Sequence, residues 1–464
     1  MFCTTKTFRN SPTKLKTKLA LRSILDLLFQ IGWISPVVLT SILSASDVVT
    51  TSDWPGYLGP NRNSISADLT PLADSWPESG PPVVWTVKIH PGHGGAAIVD
   101  KRVYVMDRVD SEKDILLVFD LRTGEELGRG EIESAGRVNF PGARTVPTVT
   151  DHHVFTAGPM GVVAAWNRED LSPLWTVDVI NEFGAEPFHV GYSTHPQAYK
   201  NLVILSTHSE EASLVALHAK TGKVAWKAPG LHGSLATPII RRFQGRDQIL
   251  YISNETPENP KGNGASSVAG IDPETGEVLW RYQNFAADLP IPPPIVVNDN
   301  TLFVAGAYEA GAQLLRIDLT PKPSFELLKS YRWGSHLCAP IVYQEHLYFL
   351  AHENATLKDK KTWPEVGLTC IATNGKPQWN TGADPMFGRG SMIIANGKLL
   401  IRDSYYGKLY MVAPSPDGYH QLAVANPFGL KRSDLKRWAP LAISQGLLIV
   451  RDEREIKCLD LRRH

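Results

Sequence analysis

Cysteine is scarce in this chain. It occurs at positions 3, 338, 370 and 458 of 464 residues, with no CxxC, no CxxCH and no adjacent pair. A disulfide-built scaffold, a zinc ribbon and a c-type haem attachment site are therefore excluded. An excess of charge is also missing. The 47 Lys and Arg balance 47 Asp and Glu, so no global field draws the chain to nucleic acid and no acidic tail solvates it. After the first 46 residues no apolar periodicity of 3.6 is sustained, which disfavours a helical solenoid. No Asp/Asn-rich loop of EF-hand type occurs either.

The chain is rich in turn and strand formers. It holds 37 Gly, 34 Pro and 12 Trp, a composition suited to many short strands joined by turns. Residues 1–46 stand apart. Lys14, Lys16, Lys18 and Arg22 precede LLFQIGWISPVVLTSIL, then SAS before Asp47. A basic start, an apolar stretch and small residues predict a secretory signal peptide, with a retained membrane anchor as the alternative. Cys3 lies on the wrong side of the apolar stretch for a lipid anchor.

A repeat runs through the rest. LLVFDLRTGEEL (116–127), LVALHAKTGKVAW (214–226) and VAGIDPETGEVLW (268–280) each read as strand, Thr-Gly turn, strand. Weaker copies lie at 162–175, 314–328, 368–379 and 409–422, and a shortened one, IKCLDLRR, at 456–463. Each hairpin follows a start of small residue, Pro and apolar run: TVPTV, THPQA, ATPII, PPPIV, CAPIV and WAPLA, with GGAAIV and GSMII lacking the proline. Successive starts lie roughly 42–56 residues apart, the spacing of four-stranded propeller blades. Eight starts predict an all-β, eight-bladed propeller of antiparallel blades over residues 81–464. Seven blades is the alternative, because the copy at 290–333 is degenerate. The last copy lacks a fourth strand, and PPVVWTVKI (81–89) is the orphan strand expected to complete it and close the ring. Residues 47–80 form a lead-in segment.

ALHAKTGKVAW and GIDPETGEVLW resemble the repeats of pyrroloquinoline-quinone-type propellers, and DWPGYLGPNRNS (53–64) looks like the lead-in of exported bacterial members. That family includes quinoprotein dehydrogenases and non-catalytic scaffolds such as the outer-membrane assembly propeller. Its alcohol dehydrogenases hold the quinone between an adjacent Cys-Cys disulfide and a Trp, with calcium on Glu, Asn and Asp. Here the Cys-Cys pair is missing, and nothing distinguishes Asp403 or Glu353 as a calcium ligand. The resemblance thus implies an exported, non-catalytic binding scaffold in the cell envelope, with no cofactor expected. A quinone-dependent oxidoreductase using calcium is the alternative, and a binder of an anionic small molecule or polymer is a second.

The candidate site follows from blade geometry. The loop leading into each innermost strand shares a face with the loop between the second and third strands. Those loops include 107–114, 207–213, 254–267, 352–367 and 403–407. Just before the starts sit His93, Arg144, Tyr192, Ser234, His336, Arg389 and Arg437, with Pro290 in the PPPIV copy, and His195 and His232 close by. Equivalent blades would gather these side chains around one mouth of the central channel. Such a mouth is positive and suits carboxylate or phosphate groups. The expected partners are envelope proteins or an anionic ligand, not nucleic acid, with membrane contact only through a retained leader. Cys338, Cys370 and Cys458 read as small core residues. The Trp residues at 85, 175, 226, 280 and 379 read as packing between blades.

Overall fold

Each of the eight starts opens a blade. The innermost strands run Ala96–Val99, Thr148–Val149, Gln197–Tyr199, Ile239–Phe243, Ile295–Asn298, Ile341–Tyr343, Ser391–Ala395 and Ala442–Ser444. In six of these the start's proline lies just before the strand, where no ladder donor is needed. The computed structural model describes residues 52–463, apart from 186–189, 254–265, 286, 288, 309, 352–366 and 430–435. The leader, Glu353 and most of loops 254–267 and 352–367 lie outside the described residues.

Eight four-stranded antiparallel sheets result. We number them 1–8 in the order of the innermost strands. Blade 8 takes its outer strand from the start of the chain. Val83–Lys88 pairs with Glu455–Asp460, so the orphan strand closes the ring. The second and third strands of each blade are almost wholly buried and form the core. A one-turn helix, Val179–Glu182, interrupts the strands after blade 2 and is capped by the Asp178 carboxylate.

Neighbouring blades are latched by the repeat itself. The outer-strand indoles of Trp85, Trp175, Trp226 and Trp379 donate to the carbonyls of Leu121, Ala219, Pro273 and Ser415, at 2.8, 2.8, 3.2 and 2.9 Å. Every one of those carbonyls lies three residues before a turn glycine of the following blade. Gly276 shows why the residue is glycine: its φ is +75°, and a Cβ there would stand 2.5 Å from the Trp226 ring. Trp280 departs from the pattern and bonds Gln248 of its own blade at 2.7 Å. The following copy, blade 5, is the degenerate one, with Thr-Pro-Lys-Pro where others have Thr-Gly.

Buried arginines add a second latch. Arg402 of blade 7 donates to the carbonyl of Arg451 in blade 8. Arg451 in turn donates to Met106 O of blade 1 at 2.8 Å and to Gly94 O at 3.1 Å. The acceptors Arg451 and Met106 occupy equivalent second-strand positions, so one contact is repeated across two blade junctions.

Candidate functional site: a closed cup at the channel mouth

The lead-in segment is more than an approach to the first blade. Residues 52–73 form a strap across the far ends of the innermost strands. Trp54 and Ile98 of blade 1 exchange backbone hydrogen bonds of 2.7 and 2.8 Å, and Val149 N of blade 2 donates to Pro55 O. Arg62 reaches Ala198 O in blade 3 at 2.6 Å, and Arg241 of blade 4 reaches Asn61 O. Farther on, Ile394 N of blade 7 donates to Ser64 O, Ser66 N donates to Ile394 O, and Gly446 N of blade 8 donates to Asp68. The strap thereby crosses the ring at the end opposite the lead-in loops, and its Tyr57 lines the channel from that side.

What remains is a cup of about 420 Å³ to which every blade contributes a lead-in residue. Among the sequence-predicted residues, His93, Arg144, His195, His336 and Arg389 line it. Three do not. Tyr192 is fully buried and stacks on His208, with centroids 5.5 Å apart. His232 sits in a left-handed turn (φ +58°) and offers its carbonyl to the Tyr251 hydroxyl at 2.6 Å. Arg437 is fully buried away from the cup against the 403–407 loop, donating to Tyr405 O at 2.8 Å. Related lead-in positions thus deliver side chains in different directions, into a ring stack for Tyr192 and onto a carbonyl for Arg437.

Several lining groups lie outside the ring predicted from sequence. Tyr57 of the strap forms the floor and stacks on His195, with ring centroids 3.9 Å apart. Phe140 and Trp438 form an aromatic wall with His93; the Trp438 ring lies 5.2 Å from Phe140 and 5.1 Å from His93. Trp438 opens the WAPLA start, so its place in the register was the available signal. Leu289, Ile291 and Leu235 supply apolar lining from blades 4 and 5.

The positive charge is carried by fewer groups than the sequence suggests. Burial, with help from Arg144, Arg451 and Lys436, pushes His93 down to about 3. Burial alone pushes His195 down to about 3. Both imidazoles are neutral near pH 7. Val146 N donates to His195 Nδ1 at 2.8 Å, which leaves the ring proton on Nε2. Arg144 is held by Gly142 O at 3.0 Å and Phe140 O at 2.5 Å, both carbonyls of its own loop. The Arg389 guanidinium lies 5.7 Å over the Trp438 ring and makes no hydrogen bond to a described residue. No described lining residue is an Asp or Glu.

This donor set does not fit a quinone held with calcium. The described lining brings guanidinium, imidazole and aromatic groups together and offers no carboxylate to a divalent cation. Asp403 is committed elsewhere: its oxygens accept from the backbone N–H of Tyr405, Tyr406 and Lys408 at 2.6–2.9 Å. In the 107–114 loop, Arg108 is committed too, pairing with Asp114 at 2.6 Å. His336 and Cys338 do not form a nucleophile–base pair. His336 faces the cup and meets Tyr308 edge-on at 5.1 Å. Cys338 is buried, and its thiol is pushed up to about 12.

A family model described as outer membrane protein assembly factor BamB matches residues 79–283 and 264–421. The chain belongs to that family. Among solved structures, BamB from Moraxella catarrhalis superposes with a TM-score of 0.55 at 12% identity, covering 82% of this chain and 99% of that one. Quinohemoprotein alcohol dehydrogenase from Comamonas testosteroni gives a TM-score of 0.60 at 12% identity, covering 90% and 82%. At such identities both likenesses concern the fold. No match to a curated protein sequence was found. No helix among the described residues is long and apolar enough to cross a membrane.

Proposed function

We propose that this BamB-family propeller is an exported, non-catalytic binding protein of the cell envelope whose cup takes a small anion with an aromatic or apolar body. Export rests on the pattern of residues 1–46 and on family membership. The ligand class rests on one observation: the Arg389 guanidinium, with no hydrogen bond to a described residue, lies over Trp438 in a cup without described carboxylates. A carboxylate there gains a charge-assisted bond from Arg389 and a donor in His195 Nε2–H, while its body packs on Trp438, Phe140 and Tyr57. Nothing in the described cup pairs a nucleophile with a base, so the arrangement favours holding a ligand over transforming it.

Calorimetric titration with benzoate and 2-naphthoate tests this reading. The expected result is saturable binding, stronger for the larger ring, weakened by salt and reduced about tenfold or more by Arg389→Gln. Affinity that ignores both salt and Arg389→Gln overturns it.

A further inference from the structure

The strap leaves part of its own face uncovered. Among the described residues it hydrogen-bonds to blades 1–4, 7 and 8, passing by the innermost strands of blades 5 and 6. In the gap is a pocket of about 230 Å³, walled by Ile239, Ile295, Val297, Pro340 and Val342 and holding the side chains of Arg62 and Arg241. Elsewhere on the surface guanidinium groups meet carboxylates, as Arg246 does with Asp272 and Arg316 with Glu326, each at 2.5 Å. These two have no carboxylate within ion-pairing distance among the described residues. Each spends one donor on a strap or blade carbonyl, Arg62 on Ala198 O and Arg241 on Asn61 O. Asp247, the nearest acid felt by Arg62, accepts from the Tyr199 hydroxyl at 3.2 Å.

Arg62 sits in a left-handed turn (φ +51°), as several other non-glycine residues of the chain do. The two charges are also close enough for Arg241 to depress Arg62, which burial and that repulsion together lower to about 10. Like charges held beside one apolar pocket, with most of their donors unspent, are an arrangement that an oxyanion relieves.

We propose that Arg62 and Arg241 form a second oxyanion site, on the strap face, for a phosphate or carboxylate that carries an aliphatic chain. The oxyanion bridges the two guanidinium groups, and the chain lies along Ile295, Val297 and Val342. This site is separate from the cup and does not depend on what the cup binds.

The test uses the full chain with hexyl phosphate, hexanoate and inorganic phosphate as probes in calorimetry. Hexyl phosphate or hexanoate should bind more tightly than inorganic phosphate, and the tighter of the two assigns the head group. With the cup already disabled by Arg389→Gln, adding Arg62→Gln or Arg241→Gln should each weaken the binding that remains about tenfold or more. Because both substitutions also remove a strap anchor, a measurement on the unaltered chain accompanies them. The tighter aliphatic probe should protect Arg62 and Arg241 from phenylglyoxal, read by peptide mass mapping, whereas benzoate should not. Equal labelling with and without the probe overturns the site. So does binding lost with Arg389→Gln and kept with Arg62→Gln, or inorganic phosphate binding as tightly as both aliphatic probes.

Discussion

The ring of Tyr57 lies against that of His195, with centroids 3.9 Å apart and planes 24° from parallel. A residue of the strap thus lines the channel and stacks on a lead-in residue of blade 3. Tyr57→Ala should remove the floor and leave a cavity in a nearly buried position. We expect a loss of about 3 kcal/mol, read from the urea midpoint. Tyr57→Phe keeps the ring and should cost under about 1 kcal/mol. Equal losses for the two would mean that the hydroxyl, and not the stack, holds the strap.

Acid should destabilise the fold through the buried imidazoles. In the unfolded chain His93 and His195 protonate near 6.5, whereas in the fold they do so only near 3. Between those values the unfolded state binds the extra protons. Their contribution is therefore fully present above pH 6.5 and is lost as pH falls towards 3, by about 1.4 kcal/mol per pH unit for each histidine. His195→Asn retains an acceptor for Val146 N and should make the slope shallower by about one proton. The readout is the unfolding free energy at pH steps from 7 to 4. A parallel profile for the variant would place the titration elsewhere.

The latch between blades 3 and 4 can be separated from simple backbone strain. Gly276→Ala places a methyl 2.5 Å from the Trp226 ring at φ +75°. Gly230→Ala meets nothing within 4 Å at φ +70°. The second should cost about 1 kcal/mol from conformation alone, and the first about 2–4 kcal/mol. Matching losses in denaturant titrations would remove the indole from the explanation.

The arginine latch should localise to the closure of the ring. Arg451→Met leaves Gly94 O and Met106 O without their donor. We expect a loss of about 2–4 kcal/mol. Hydrogen exchange should accelerate first in blades 8 and 1, while blades 3 and 4 remain protected. Uniform acceleration around the ring would contradict a local latch.

The thiols give a simple check on burial. Cys338, Cys370 and Cys458 are buried, and burial pushes their thiols up to about 12, 11 and 12. None should react with Ellman's reagent in the native protein, and all three should react in guanidinium. A fourth thiol after denaturation would be Cys3, so the same titration reports whether the leader is present. Rapid native labelling would refute the core placement.

The propeller was legible in the sequence because its information is local and repeated. A Pro-marked start, an apolar second strand and a Thr-Gly turn recur at one period, and every pairing but the closing one joins neighbours in the chain. Even the closing strand could be read, from a missing fourth strand at one end and a spare strand at the other. Packing also followed from type: Cys370 and Cys458 are fully buried, and the indole of Trp226 lies between blades.

The site was legible in register but not in direction. Lead-in positions bring His93, Arg144, His195, His336 and Arg389 to one cup, yet the same register sends Arg437 to Tyr405 O and buries Tyr192 against His208. Which way a side chain turns depends on contacts made in three dimensions, within its own loop for Arg144 and across to the neighbouring blade for Arg437. Charge behaves likewise. A histidine's letter does not reveal the desolvation that makes His93 and His195 neutral. Nor does DWPGYLGPNRNS show that it bonds to five blades, seats Tyr57 as a floor and sets Arg62 beside Arg241. The sequence by itself determined the blades and the ring, since period and strand chemistry are local. Only the tertiary structure decided that the channel is a cup and which groups face it, because blades far apart in the chain must meet before either is defined.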